Sequence, residues 1–337
     1  MTQNAAVVRE NPAGKRRLQV RGFLSRNGTQ AGIIAVFLAV WLLFVLSAPD
    51  TFLKPQIYLA FMSTVPFFGI MALPLTMAII AGEMDLSFPS IMVISMVAFV
   101  AVFNLTGSAF FALLAALATG SGAGFLNGAL VVGLGIPSLV ATIGTQFFWR
   151  GAALVLLNGK GGSLVATRDS LTYNLLVGKL FGYLPVQFIW MIIVAVVCWV
   201  ILNRTRLGAH IYLVGDNANS AELMGVNTRF TRVAVFVMVG FASAFAGVLA
   251  SLHVSFLWPS LGDGYLLQTL ASVFLGGTSV FGGVGTILGT FLGSYIIGAI
   301  EAGIVAVGLT GFWTKLIYGL IIIVSVAMHS MLRRHMK

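Results

Sequence analysis

The sequence predicts an all-α fold: a polytopic membrane protein of about ten transmembrane helices with both termini in the cytoplasm. Three observations carry that prediction. First, 59% of the 337 residues are hydrophobic, only 8% are charged, and the mean hydropathy is +1.02. A soluble domain carries roughly 25% charged residues. Second, apolar runs recur at lengths near the ~20 residues that a helix needs to cross a bilayer, with short polar stretches between them. Third, with the N-terminus placed inside, 13 of the 19 Lys and Arg residues fall on the cytoplasmic side and 6 on the other. That is the asymmetry expected of cytoplasmic loops.

Taken in order, residues 1–30 are polar and basic, with Arg9, Lys15, Arg16, Arg17, Arg21 and Arg26, and read as a disordered cytoplasmic tail. The first apolar run begins only near residue 31, and no small-residue cleavage site follows it, so it reads as a retained span. Residues 31–337 then form one transmembrane domain, with predicted spans at 31–48, 57–80, 86–104, 109–133, 138–157, 187–202, 232–253, 265–281, 284–308 and 313–332. The glycines of GGTSVFGGVGTILGT predict a break or a re-entrant segment around the eighth and ninth. The small-xxx-small patterns of GSGAGFLNG and GTILGTFLGSYIIG predict close helix contacts. The long external loop, 158–186, turns apolar after Leu171, which suggests a short helix lying on the membrane surface and a place for an external partner.

The cytoplasmic stretch 203–232 stands out as a polar island carrying Arg204, Arg206, Arg229 and Arg232. Its centre reads as a very short capped helix. Asn219 is a candidate N-cap, with Glu222 three residues on as in a capping box. Gly225 suits the left-handed position after the helix, and Val226 can fold back onto it. A helix of about five residues does not stand alone, so this one must dock on something. Two readings stay open: a solvated loop with one helical turn, or a knob for a cytoplasmic partner.

Other polar residues lie where they are costly. Glu83 and Asp85 sit between spans two and three; Asp85 or Ser87 can cap the third span, with Pro89 in its first turn, or the acidic pair can serve a pathway or gate. Glu301 lies within span nine and faces a polar cavity, a second subunit or water. Asn127, Thr142, Thr145 and Gln146 give the middle spans uncharged hydrogen-bonding groups, with the aromatic faces of Phe148 and Trp149 nearby. Helix packing accounts for such residues, as would a pathway for a neutral polyhydroxylated solute.

Several chemistries are excluded. There is no phosphate-binding G-x-x-x-x-G-K-[ST] loop, and GGVGTILG opens no βαβ unit. His210, His253, His329 and His335 are scattered, and Cys198 is the only cysteine, so neither a metal site nor a catalytic residue is predicted. The formal charge of +10 flanks apolar segments and forms no separate basic domain, which argues against nucleic acid.

These motifs together resemble the membrane permeases of bacterial ABC importers for monosaccharides, the ribose/xylose type. In LGAHIYLVGDNANSAELMGVNTRFTR the matching positions are Gly208, Tyr212, Gly215, Asn217, Ala221, Leu223, Gly225 and Asn227. Gly82, Asp85, Leu86 and Ser87 match a second element. The stretches from Asn127 to Gly151 and from Gly276 to Thr290 match two more. Glu83 departs from the family's usual glycine, and Phe88–Pro89 from its Val-Gly.

The resemblance implies a multi-pass inner-membrane permease with no cofactor of its own. ATP and Mg would bind a separate cytoplasmic ATP-binding subunit. A periplasmic sugar-binding protein and a second permease copy would complete the assembly in membrane lipid. The loop at 203–232 then becomes the coupling loop, with Gly215, Asn217, Asn219, Ala221, Glu222, Leu223 and Gly225 as coupling residues. Glu83, Asp85, Ser87, Asn127, Thr142, Gln146, Trp149 and Glu301 remain candidates for translocation or gating. Permeases for branched-chain amino acids or nucleosides share the architecture, and an ion-coupled secondary transporter is the rival of another class.

Overall fold

A computed structural model describes residues 32–306 and 308–335; the basic tail predicted at 1–30 lies outside them. A helix underlies each of the ten predicted spans. Seven are long and apolar enough to cross a membrane: α3 (Pro55–Ile80), α4 (Phe88–Thr106), α5 (Ala109–Leu134), α6 (Ser138–Leu157), α8 (Val186–Arg204), α10 (Thr228–Val254) and α12 (Ile287–Ala306). Three shorter apolar helices complete the set: α1 (Gly32–Ser47), α11 (Tyr265–Leu275) and α13 (Phe312–His335), whose apolar part is Phe312–Met328. Between them lie the single turn α2 (Pro49–Phe52), the surface helix α7 (Leu171–Val177) and α9 (Arg206–Leu223).

The bundle is organised around α3 and α10. Every side chain of α3 from Val65 to Ile80 is buried, as suits a helix that is apolar all round. Packing by its neighbours lets it carry Pro66 and Pro74 in its interior. α10 packs on α3, α4 and, most extensively, α5. An added Cβ at Gly124 would strike the Phe236 backbone, and one at Gly240 would strike Gly120, so α5 and α10 meet backbone to backbone as the glycine spacing predicts. Gly289 and Gly293 seat α12 on α11 in the same way, against Gly276 and Ser272.

Two boundaries differ from the sequence reading. α11 ends at Leu275 and not near 281; its 11 residues are about 16 Å long, too short to cross. The glycine-rich stretch after it breaks into turns, with Gly277, Gly282 and Gly283 at positive φ. The island at 203–232 is mostly helix and not loop: α9 starts at Arg206, with the Thr205 side chain accepting from the Gly208 N–H at 3.3 Å. Within 158–186, α7 is the short helix expected after Leu171, capped by Ser170, whose Oγ accepts from the Tyr173 N–H at 3.1 Å. Two short antiparallel ladders flank it: β1 (Gly162–Ser163) with β4 (Phe256–Leu257), and β2 (Lys179–Leu180) with β3 (Leu184–Pro185).

Candidate functional site

The turn at the end of α9 is a closed unit. The backbone leaves the helix at Asn217 (φ −157°, ψ 102°) and resumes at once. Asn217 Oδ1 accepts from the Ser220 N–H at 2.9 Å, so Asn217 is the N-cap and not Asn219. The cap sits two residues earlier than predicted, which moves Glu222 out of the capping-box position; its side chain is exposed. The far end is as predicted. Gly225 takes φ +82°, its N–H donates to Glu222 O at 2.9 Å, and the Val226 N–H donates to Ala221 O at 3.0 Å. These are the paired bonds of a Schellman stop. Val214, Ala221 and Val226 close a small apolar cluster beneath it. What the turn leaves outside is apolar: Leu223 is 90% exposed and Met224 is 63% exposed.

The turn stands on a junction of three backbones that are distant in sequence. Gly215, just before the kink, lies against the last turn of α3: an added Cβ would overlap the Ile80 carbonyl oxygen and fall 2.8 Å from Gly283 N. Gly283 N–H donates to that same Ile80 oxygen at 2.8 Å. Gly282 approaches the Gly215 carbonyl, and Tyr212 Oη donates to Gly285 O at 2.9 Å. Only glycine lets the three chains close to this distance. Movement of the α9 turn is thereby tied to α3 and to the segment between α11 and α12.

The connector from α3 to α4 holds the acidic pair. Glu83 is buried, with Oε1 3.0 Å from Arg232 Nε at the start of α10. The contact lies off the N–H direction, so it is an ion pair without an aligned hydrogen bond. Burial pushes the Glu83 carboxyl above its ordinary range, against the pull of Arg232 and the Ser138 hydroxyl. Asp85 is fully buried. Its Oδ1 accepts from the Ser87 N–H at 2.8 Å and the Ser87 hydroxyl at 2.7 Å, and its Oδ2 accepts from Asn127 Nδ2 at 3.2 Å. Burial raises this carboxyl too, and the Ser87 and Asn127 donors oppose the shift. Ser87 occupies the N-cap position of α4, but its side chain makes no capping bond; Asp85 braces the approach to the helix instead. Asn127 Nδ2 also reaches Ser87 Oγ at 2.7 Å, so the predicted residues Asp85, Ser87 and Asn127 form one network joining the connector to α5.

A model of the family described as "Branched-chain amino acid transport system / permease component" matches residues 57–326. The chain belongs to this permease family. Among similar proteins, the "Autoinducer 2 import system permease protein LsrC" of Yersinia pestis (strain Pestoides F) is 31% identical over 306 residues, covering 89% of this chain and 84% of the relative. Its counterpart in Yersinia enterocolitica (serotype O:8 / biotype 1B) is 32% identical over 306 residues, covering 89% and 82%. No solved structure matches.

The permease disperses the remaining predicted residues. Thr142 is buried on α6 and donates to Ser138 O at 2.8 Å and Met84 O at 3.2 Å, anchoring the acidic connector to α6. Gln146 is half-buried one turn further on. Trp149 packs on Phe148, and its indole N–H is buried without a hydrogen-bond partner among the described residues. Glu301 is exposed and separate from Asp85, accepting from Gln268 Nε2 of α11 at 2.8 Å.

Arg150 stands outside the site residues expected from the sequence. Arg150 Nη1 donates to Pro259 O at 2.9 Å and Leu261 O at 2.8 Å, and Nη2 lies 3.3 Å from Pro89 O and 2.7 Å from Asp263 Oδ1. It clamps the segment before α11 onto the start of α4. The available clue was an arginine inside an apolar span, which is a functional suspect by default.

Proposed function

We propose that this permease is the transmembrane subunit of an ATP-driven importer that carries a monosaccharide or a related polyol across the inner membrane. The eighth crossing combines α11 with the non-helical segments that flank it, so the chain crosses ten times and keeps both termini in the cytoplasm. The observation that carries the reading is the apolar tip of the α9 turn. Leu223 and Met224 stand exposed on a turn closed at both ends, and a groove on a cytoplasmic ATP-binding subunit would bury them. Closure of two such subunits would push the turn against Ile80 and Gly283, so the work enters α3 and the α11–α12 segment together.

Import is supported by the relatives, which are named as import-system permeases. The monosaccharide class is supported by the four motifs that resemble ribose/xylose permeases and by an interior rich in hydroxyls and amides. A binding protein on the outer face would deliver the solute. A second copy of the chain would complete the pathway along faces of α5 and α6 that remain uncovered. The ion-coupled alternative named Glu83, Asp85 and Glu301; Glu83 is paired with Arg232, Asp85 already accepts three hydrogen bonds, and Glu301 lies on α12 and accepts one from Gln268. The test is uptake of labelled pentoses, hexoses, branched-chain amino acids and nucleosides into proteoliposomes holding the permease, its ATP-binding subunit and its binding protein. Uptake of a sugar driven by ATP and indifferent to proton or sodium gradients is expected. Gradient-driven uptake without ATP would overturn the proposal.

A further inference from the structure

α5 and α8 stand apart, and between them runs a groove of about 690 Å³ floored by α3 and α10. Its walls are apolar along their length, with Leu113 and Leu117 on one side and Ile193, Val197 and Ile201 on the other. Of its polar lining groups, the Trp190 indole N–H is already bonded to Leu175 O at 2.9 Å. A polyol would find almost nothing to bond there, and the groove lies on the flank of spanning helices, where the bilayer is the solvent.

The two ends of the groove differ. The outer end is roofed by α7, which packs on α5, α8 and α10. The inner end opens at Ile201. One turn on along the same face of α8 stands Arg204, and Arg206 begins α9. Both arginines are exposed; Arg204 lies over the Trp199 ring at 5.5 Å, and neither meets a carboxylate within ion-pair distance among the described residues. From Trp190 to Ile201 the helix rises about 16 Å, about the reach of one acyl chain in a hydrocarbon core that is two chains deep and about 30 Å thick. The length, the roof and the two exposed cations select one occupant.

We propose that this groove binds one acyl chain of an anionic phospholipid of the inner leaflet, with its phosphate held by Arg204 and Arg206. The chain end would lie under α7, and the site would link the lipid headgroup to the junction of α8 with α9.

The test uses the full chain in phosphatidylcholine vesicles, with tryptophan fluorescence quenched by brominated phosphatidylglycerol or brominated phosphatidylcholine. The Trp190 contribution is isolated by subtracting the Trp190→Phe variant. Brominated phosphatidylglycerol should quench Trp190 at concentrations at least threefold lower than brominated phosphatidylcholine. Arg204→Gln with Arg206→Gln should bring that ratio to one. Ala242→Phe, which fills the floor, should abolish quenching by both lipids. If Ala242→Phe fails to fold, the arginine pair still decides, since both side chains are exposed. Equal quenching by the two lipids in the unmodified chain means general contact with boundary lipid and overturns the proposal. So does a preference that survives loss of both arginines, or absence of Trp190 quenching, as a second copy seated in the groove would give.

Discussion

Gly215→Ala should disconnect the α9 turn from the bundle. The new Cβ would overlap the Ile80 carbonyl oxygen and lie 2.8 Å from Gly283 N, so it must move by at least 0.6 Å to reach an ordinary 3.4 Å contact with the latter alone. The obstacles are backbone on both sides and cannot rotate away. Overpacking of this kind costs about 1–3 kcal/mol. Loss of the hydrogen bond from Gly283 N–H to Ile80 O adds about 0.5–1.5 kcal/mol. A total of about 1.5–4.5 kcal/mol disfavours the docked turn by roughly 13- to 2,000-fold. The assay reads ATP hydrolysis and solute uptake from the same proteoliposomes, with both partner proteins present. Hydrolysis should lose its link to uptake, and uptake should fall more than tenfold, while the protein still inserts and runs as a single species. Gly319→Ala, a position on α13 with open space around it, is the matched control and should leave coupling unchanged. Coupled uptake at the unmodified level by Gly215→Ala would refute the reasoning.

Three further outcomes follow from the geometry. Asn217→Ala should destabilise the turn by about 0.5–2 kcal/mol and lower uptake, Glu222→Ala should do neither, and Gly225→Val should be worst, because a β-branched residue resists φ +82°; co-purification of the ATP-binding subunit ranks the three, and a larger effect for Glu222 would restore the capping box. Asp85→Asn keeps an oxygen for Ser87 and turns an N–H₂ toward Asn127, whose unpartnered Oδ1 can accept it after a flip, so most transport should survive, whereas Asp85→Leu should lose expression or activity; equal damage would mean that the charge itself is required. Reporter fusions at residues 165 and 215 should score outside and inside, and the same side for both would defeat the ten-span topology.

The long apolar runs were legible because a span needs only length and hydropathy; a helix lies under each, seven of them long enough to cross and α11 too short. The Gly225 stop was legible for a local reason: a left-handed glycine followed by an apolar residue is a short-range pattern. The N-cap was not. The sequence offers Asn217 and Asn219 two residues apart, and the choice between them depends on where α9 kinks, beside the contact of Gly215 with Ile80. The helix from Arg206 to Asp216 was hidden because its buried positions, Ile211 and Val214, are too few to impose a period on a polar stretch. The junction itself joins residues 80, 215 and 283, and no local pattern reports contacts that far apart. Arg150 was visible as a residue but not as a clamp, since its acceptors are carbonyls of two other segments.

If the α9 turn passes work from an ATP-binding subunit, Leu223→Asp should break the link at its tip. Leu223 is 90% exposed and contributes to none of the apolar clusters of the described chain, so the change should leave thermal stability and insertion as they are. The ATP-binding subunit should no longer co-purify, or should hydrolyse ATP without solute entering. Normal binding with normal ATP-driven uptake by Leu223→Asp would contradict that role of the turn.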